Sequence, residues 1–156
     1  MHLVLYQPEI AQNVGTLMRF AACMGVPLHI IEPCGFLFTD KHLKRAGMDY
    51  MDLASTHRFS SWKTFCESHK KERRVALTPS ADQLYTDFVF QSTDLLIMGQ
   101  ESTGFPSEIL EDCHEEVAIP MVPGRRSLNI ALAAAIVTTE ALRQTGELPK
   151  GMEECE

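Results

Sequence analysis

The segment I-P-M-V-P-G-R-R-S-L-N occupies positions 119–129 and leads directly into an apolar run that continues to about position 144. Its two prolines and glycine predict a loop, whose two arginines, serine and asparagine can present polar groups to a small ligand. The run behind the loop predicts a helix over 128–144 with no polar face to show to water. A helix of that kind packs against protein on every side. Loop and helix together predict a ligand site built against a buried interface.

Short apolar runs alternate with helical patterns along the rest of the chain. Five runs predict strands, at 3–6, 28–31, 75–77, 95–98 and 117–119. A helix capped by Asn13 and ended by Gly25 follows the first run, and further helices are predicted at 39–46, 61–70 and 106–113. Strands that alternate with helices indicate an α/β domain whose mostly parallel sheet is flanked by helices.

The chain has 156 residues, of which 45% are hydrophobic and 22% charged. This length predicts one domain over 1–150, followed by a frayed acidic tail at 151–156. Apolar runs stay well short of the ~20 residues of a membrane span, and positions 1–6 lack the basic region of a signal peptide. The cysteines and histidines are scattered singly, which indicates reduced thiols and predicts no metal site. We therefore expect a cytoplasmic protein without a membrane segment.

Basic residues are concentrated between positions 41 and 74, although the whole chain carries a net charge of −7. That window holds nine Lys or Arg against four Asp or Glu, whereas acidic residues cluster at 108–116 and 153–156. One basic face on an acidic body can hold a phosphate backbone. Solvated helix faces without a partner explain the same charge pattern equally well.

Polar residues follow three of the predicted strands, at 77–79, 99–104 and 120–129. Ligands of open α/β sheets bind outside the carboxyl ends of the strands. The chain has no G-x-G-x-x-G after the first strand and no G-x-x-x-x-G-K-[ST], so it lacks the loops that usually cradle a dinucleotide or a nucleoside triphosphate. These features favour a nucleoside-like ligand without a pyrophosphate.

Five motifs occur in the order typical of the SPOUT superfamily of knotted RNA methyltransferases: Pro8-Glu9-Ile10-x-x-Asn13-x-Gly15-x-x-x-Arg19, Ile31-Glu32-Pro33, Arg45-Ala46-Gly47-Met48-Asp49-Tyr50, Gly99-x-Glu101-x-x-Gly104 and Ile119-Pro120…Ser127-Leu128-Asn129. The chain resembles this superfamily over positions 1–146. The third motif resembles the subfamily that methylates the ribose 2′-hydroxyl of the wobble nucleotide, position 34, of tRNA, where the base is cytidine or uridine.

The resemblance implies a fold, a cofactor and two partners. The fold would carry a deep trefoil knot near the C-terminus, and the chain would form a homodimer through the knot region and the last helix. The substrate would be the anticodon stem-loop of tRNA. The cofactor would be S-adenosyl-L-methionine, bound by the three strand-end loops. Carried over by position, the cofactor-binding residues are Leu77, Gly99, Ile119 and Ser127, with Met121 and Leu128 as neighbours.

The resemblance also makes Arg19 catalytic, together with Asn13 and Glu101. On a helical wheel Arg19 lies across from the apolar stripe and beside Gly15, whose missing side chain leaves room for a ligand. That position by itself also fits a solvated arginine on an amphipathic helix. Because a guanidinium is effectively never deprotonated, we expect Arg19 to stabilise the developing 2′-alkoxide by hydrogen bonding. The reaction needs no metal.

Each remaining candidate has a structural alternative. Asn13, Ser127 and Asn129 can all act as helix caps. Glu101 can hold Arg19, contact RNA or be a loop carboxylate without a role. The candidates for RNA binding are Arg125, Arg126, Lys41, Arg45 and Asn129. For the arginines and the lysine, the alternative is a solvated surface side chain without a partner.

Two departures from the family pattern lie near the expected knot and dimer contact. Ala131 and Leu132 stand where the family often has serine or asparagine, and Thr139 stands where tyrosine is common. Three functions stay open: wobble 2′-O-methylation, SPOUT 2′-O-methylation of another tRNA position or of ribosomal RNA, and RNA binding by a dimer without catalysis. Retention of the three catalytic candidates disfavours the last.

Overall fold

The computed structural model describes residues 1–38 and 55–151. These residues contain six strands: β1 (His2–Tyr6), β2 (Leu28–Ile31), β3 (Thr56–Phe59), β4 (Arg74–Leu77), β5 (Leu95–Met98) and β6 (Glu115–Val117). They also contain four helices: α1 (Ala11–Met24), α2 (Trp62–Ser68), α3 (Ser107–Glu111) and α4 (Ile130–Thr145). The helix predicted at 39–46 and positions 152–156 of the predicted tail lie outside the described residues.

The strands form one sheet in the order β3-β2-β1-β5-β4-β6, and every neighbouring pair is parallel. The predicted α/β fold with a mostly parallel sheet is therefore confirmed. The register places Leu77 of β4 level with both Met98 of β5 and Val117 of β6. The loops that leave these three strands consequently start side by side at the carboxyl edge. The expected trefoil knot stays a prediction, since strand order does not determine how the chain threads.

Two strand predictions differ from the structure. Strand β3 was not predicted, because Thr-His-Arg-Phe is polar and lies half exposed at one edge of the sheet. The prediction of a strand at 117–119 was wrong at both ends, since β6 ends at Val117. Ala118 leaves the ladder because its backbone exchanges hydrogen bonds with Gln83 and Tyr85, in the loop after β4.

Apolar side chains fill both faces of the sheet. On one face α1 and α4 pack together over β1 and β5, with Leu17 and Ala134 at most 1% exposed. On the other face α2 and α3 cover Val4 and Ile97, and Phe65 of α2 is fully buried in this layer. The alternation of side chains along each strand divides these two layers. None of the helices in the described ranges has the length and apolar character that crossing a bilayer requires.

A buried ion pair closes the amino edge of the sheet. The Asp94 side chain is 0% exposed and accepts hydrogen bonds from Nε and Nη2 of Arg73, at 2.8 and 2.7 Å. Its carboxylate also accepts the amide hydrogen of Gln91 at 2.8 Å, and its carbonyl accepts that of His2 at 2.9 Å. Asp94 therefore fixes the starts of β1, β4 and β5 relative to one another.

Arg73→Met should lower the free energy of unfolding by about 3–5 kcal/mol, because it leaves the Asp94 carboxylate buried without its cation. Urea denaturation followed by circular dichroism measures this change. Arg143→Met is the matched control, since it removes the same kind of bidentate pair, to Glu140, from an exposed helix surface. Equal losses in the two variants would contradict the structural role given to Asp94.

Candidate functional site

The loops that follow β4, β5 and β6 enclose a cavity of about 850 Å³ at the carboxyl edge of the sheet. The start of α1 and the first turns of α4 complete its wall, and α3 contributes Leu110. A cavity of this size matches the range for small-molecule sites. Its position is the one that open parallel sheets use for ligands.

All six residues expected to bind a cofactor line this cavity. One ends β4, one follows β5 and four follow β6: Leu77, Gly99, Ile119, Met121, Ser127 and Leu128. The structure thus brings together positions that lie up to 51 residues apart in the sequence. Their role in cofactor binding stays a prediction.

The loop after β5 is folded into a tight turn against the cavity. The backbone amide of Gln100 donates to the carbonyl of Gly104 at 2.8 Å, and the amide of Gly104 donates back at 3.0 Å. A Cβ atom added to Gly99 would lie 2.8 Å from backbone atoms of Gly104. Gly104 itself has a φ of +71°, which disfavours any side chain. Both glycines are therefore required by the shape of this wall.

The chemistry of the wall suits a nucleoside-like molecule. Leu77, Ile119 and Leu128 offer apolar surface on which a flat ring can lie. The hydroxyls of Thr78 and Ser80, which are 2.9 Å apart, offer polar atoms beside it. These features agree with the expectation of a nucleoside-like ligand.

The carboxylate of Glu101 joins the cavity to the start of α1. Its Oε2 accepts the backbone amide hydrogen of Glu9 at 2.8 Å, and its Oε1 accepts that of Ile10 at 3.3 Å. Oε1 also accepts a hydrogen bond from Nδ2 of Asn13 at 3.2 Å. Ile10 is the N-cap of α1 and has no polar side-chain atom. Glu101 therefore supplies from another loop the negative charge and the acceptor that a helix start favours.

Glu9 in turn accepts hydrogen bonds from Ser102, the residue that follows Glu101. Its carboxylate accepts hydrogen bonds from the backbone amide and from the hydroxyl of Ser102, both at 2.7 Å. These two donors lower the pKa of the Glu9 carboxyl. Glu9 lies in one of the family motifs, but no role was predicted for it, because no spacing in the sequence reveals a contact across more than 90 positions. The two loops hold each other through a reciprocal pair of carboxylates.

The prediction that Asn13 caps α1 was wrong. The helix begins at Ala11, two positions earlier, so Asn13 lies within its first turn and its side chain is available for other contacts. While Nδ2 donates to Glu101, Oδ1 accepts a hydrogen bond from Nδ2 of Asn129 at 3.0 Å. Three loop or helix-start residues are thus linked in one chain of hydrogen bonds.

The capping alternative is confirmed for Asn129 and wrong for Ser127. Asn129 is the N-cap of α4, and its Oδ1 accepts the amide hydrogen of Ala131 at 2.9 Å. The helix begins at Ile130, two positions later than expected, so Ser127 precedes the cap and faces the cavity instead. The prediction that Asn129 binds RNA is not tested by these contacts.

The predicted arginines and lysine fall into three groups. Arg126 lines the cavity, and its exposed neighbour Arg125 lies in the same loop outside the wall. Arg19 lies on the exposed side of α1, and within the described part of the chain it is not among the residues that line the cavity. Lys41 and Arg45 lie outside the described residues. One chain alone therefore does not bring Arg19 together with the expected cofactor residues.

Glu101→Ala should lower the free energy of unfolding by about 1.5–3 kcal/mol, because three donors at the start of α1 lose a charged acceptor. It should also speed amide hydrogen exchange at Glu9 and Ile10, which mass spectrometry of peptides can follow. Glu108→Ala is the control, since this exposed glutamate lies in the first turn of α3. Unchanged exchange at the start of α1 in Glu101→Ala would show that the Glu101 carboxylate does not stabilise this helix start.

Comparison with known proteins adds an independent line of evidence. The model of the SpoU rRNA Methylase family matches residues 1–139. A tRNA (cytidine(34)-2'-O)-methyltransferase of Beijerinckia indica is 48% identical, over 97% of this chain and 96% of its own length. A solved structure described as giving insights into the 2-OH methylation of C/U34 on tRNA is 41% identical, with a TM-score of 0.87 over 92% of this chain and 94% of that one.

The fold is also shared with more distant proteins. The methyltransferase AviRb of Streptomyces viridochromogenes, solved in complex with AdoMet, has a TM-score of 0.83 and 24% identity, over 92% of this chain and 57% of its own. At that identity the likeness concerns the fold alone. The family match and the 48% identical relative carry the assignment further: this chain belongs to the SpoU rRNA Methylase family.

Proposed function

We propose that this chain transfers a methyl group from S-adenosyl-L-methionine to the ribose 2′-hydroxyl of nucleotide 34, cytidine or uridine, of tRNA. The observation that carries the proposal is the cavity at the carboxyl edge, which unites all six expected cofactor residues in a chain of this family. The relatives named for this reaction match nearly the whole chain.

The cavity fits the cofactor in size and in the chemistry of its wall. Leu77, Ile119 and Leu128 would enclose the adenine ring, while the turn at Gly99 and the loop at Ser127 would approach the rest of the molecule. When bound, S-adenosyl-L-methionine supplies a methyl group attached to a positively charged sulfur. The turn at Gly99 brings backbone close to that space because glycine has no side chain to exclude a ligand.

Arg19 is our candidate for stabilising the oxygen that attacks. A guanidinium stays protonated, so it can donate hydrogen bonds to the 2′-oxygen as negative charge develops there. Asn13 and Glu101 act through the position of α1: they hold its first turn against the cavity loops. We therefore treat them as positioning residues for Arg19. Arg125 and Arg126 extend this exposed edge with positive charge that suits RNA phosphates, and Lys41 and Arg45 complete the proposed RNA-binding set.

A homodimer would resolve the separation of Arg19 from the cavity of its own chain. Leu132 is 60% exposed and Ile136 is 39% exposed, one turn apart on the outer side of α4. Apolar side chains in such a stripe favour burial against a partner. Because α1 packs beside α4, a partner on this stripe also lies near the exposed side of α1. We propose a dimer through α4 and the knot region that brings Arg19 of one chain to the cavity of the other.

The three residues that depart from the family pattern, Ala131, Leu132 and Thr139, all lie on α4. Ala131 is buried against the core, whereas Leu132 and Thr139 lie on the exposed side. An apolar Leu132 therefore adds to the proposed contact between chains. The last turns carry Glu140 and Arg143, so the helix does have a polar face near its end, contrary to expectation.

We further propose that the enzyme acts in the cytoplasm, where its tRNA substrate would be available.

Incubation of the protein with isotopically labelled S-adenosyl-L-methionine and total RNA, followed by mapping of the methylated nucleotide, tests this function. We expect label on the ribose of nucleotide 34 of tRNA. Arg19→Ala should reduce transfer by about 100-fold or more, since it removes transition-state hydrogen bonds, while leaving cofactor affinity nearly unchanged. Lys63→Ala, in an exposed position of α2 on the other face of the sheet, is the control.

Label at another tRNA position or on ribosomal RNA would contradict the assignment to nucleotide 34. Cofactor binding without any transfer would instead support an RNA-binding dimer that lacks catalysis.

Mixing two inactive variants tests the sharing of Arg19 between chains. Gly99→Val should destroy the cavity, since the added side chain meets the backbone of Gly104, yet it keeps Arg19. Co-expression with Arg19→Ala should restore roughly a quarter of wild-type activity, because random pairing makes half of the dimers mixed and each mixed dimer has one complete site. Each variant alone serves as the control. No recovery in a preparation shown to contain mixed dimers would contradict the shared site.

A further inference from the structure

Four histidines meet at the amino edge of the sheet, opposite to the cavity. His2 begins β1, His29 lies in β2, His57 lies level with it in β3, and His69 is the C-cap of α2. The ring centre of His29 lies 4.9 Å from those of His2 and His69 and 5.4 Å from that of His57. The proposed methyl transfer uses none of these residues.

Three of these rings have the spacing of ligands around one ion. One ring nitrogen from each of His2, His29 and His69 lies within 4.8 Å of the other two. Ligand nitrogens of a tetrahedral zinc ion lie about 3.3 Å apart, given Zn–N bonds of about 2.0–2.1 Å. Nδ1 of His2 and Nε2 of His29 are already 2.8 Å apart. Side-chain rotations that move the nitrogens by about 1 Å would therefore bring all three onto one ion.

The hydrogen bonds around the cluster suit metal ligands. Nδ1 of His69 lies 3.0 Å from the carbonyl oxygen of Phe65, to which it can donate. That bond leaves the lone pair of Nε2 available, and a backbone carbonyl is a common outer partner of a metal-binding histidine. His29 is 4% exposed, and its Nδ1 has no hydrogen-bond partner among the described residues. Nε2 is therefore the nitrogen of His29 that faces His2.

The cluster is open to solvent on one side. His2 and His69 are half-buried, so an ion can enter from solvent and water can complete its coordination.

We propose that His2, His29 and His69 form a binding site for a divalent transition-metal ion, with Zn²⁺ as the first candidate. Three imidazoles favour zinc, nickel or copper over magnesium or calcium, which prefer oxygen ligands. The ion would fasten the end of α2 to β1 and β2, at the edge of the sheet remote from the cofactor cavity. The sequence predicted no metal site because the three histidines lie far apart in the chain and share no ligand spacing.

Titration of the untagged, chelator-treated full-length protein with ZnCl₂, followed by isothermal titration calorimetry, tests the proposal. We expect one ion per chain and a rise in the thermal unfolding midpoint on binding. His69→Gln and His2→Gln should each weaken binding at least ten-fold and abolish the thermal shift. His57→Gln is the matched control, because its exposed ring stacks on His29 outside the three-ligand set and should leave binding unchanged.

Substitution with Co²⁺ distinguishes this site from the thiols of Cys66 and Cys113 on the same face of the sheet. Histidine ligands should give visible d–d absorption without a thiolate-to-cobalt charge-transfer band. The proposal is overturned by the lack of saturable binding, by full binding in both His69→Gln and His2→Gln when these are folded by circular dichroism, or by a charge-transfer band in wild type. None of these readouts depends on methyl transfer, so failure here leaves the proposed enzymatic function unaffected.

Discussion

The attachment of the Glu101 carboxylate to the first turn of α1 holds the candidate site together. This carboxylate accepts two backbone amides and the side chain of Asn13, which in turn accepts a hydrogen bond from the cap of α4. A loop at the end of one strand is thereby joined to the starts of two helices. Since an unsatisfied helix start favours nearby negative charge, the contact stabilises both the helix and the loop. The shape of the cavity depends on it.

The parallel sheet makes this contact possible. Strands β4, β5 and β6 end level with one another, at Leu77, Met98 and Val117. The three loops that follow them therefore lie at the same edge of the sheet, together with their polar groups. The amino edge is fixed separately by the buried pair of Arg73 and Asp94. The sheet therefore carries three loops at one edge, where loops positioned by a rigid scaffold commonly form binding sites.

Features of the sequence that depend on local patterns were predicted well. The run at Leu95–Met98 is wholly apolar and that at Leu28–Ile31 is apolar except for His29, and the structure reproduces both strands with the expected bounds. Burial on both faces leaves a central parallel strand few polar positions. The strand Thr56–Phe59 was missed because an edge strand tolerates polar residues. Asn13 was wrongly predicted to cap α1. It is a polar residue near the helix start, but its side chain contacts Glu101 of another loop.

Features that depend on contacts between distant positions were not predictable in this way. The pairing of Glu9 with Ser102 spans 93 positions, and the histidine cluster draws on four separate elements. The family resemblance supplied the identity of the cavity residues, whereas pattern alone supplied only the three strand ends. Arg19 shows the limit of both, because its position outside the cavity of its own chain became visible only in the structure.

A crystal structure of the protein with S-adenosyl-L-homocysteine and an anticodon stem-loop tests the central claim most directly. We predict that the adenine lies between Leu77 and Ile119 beside Gly99, and that the ribose of nucleotide 34 lies within hydrogen-bond distance of an Arg19 guanidinium from the second chain. Binding of the adenine outside the three strand-end loops, or a nucleotide 34 distant from every Arg19, would contradict the account.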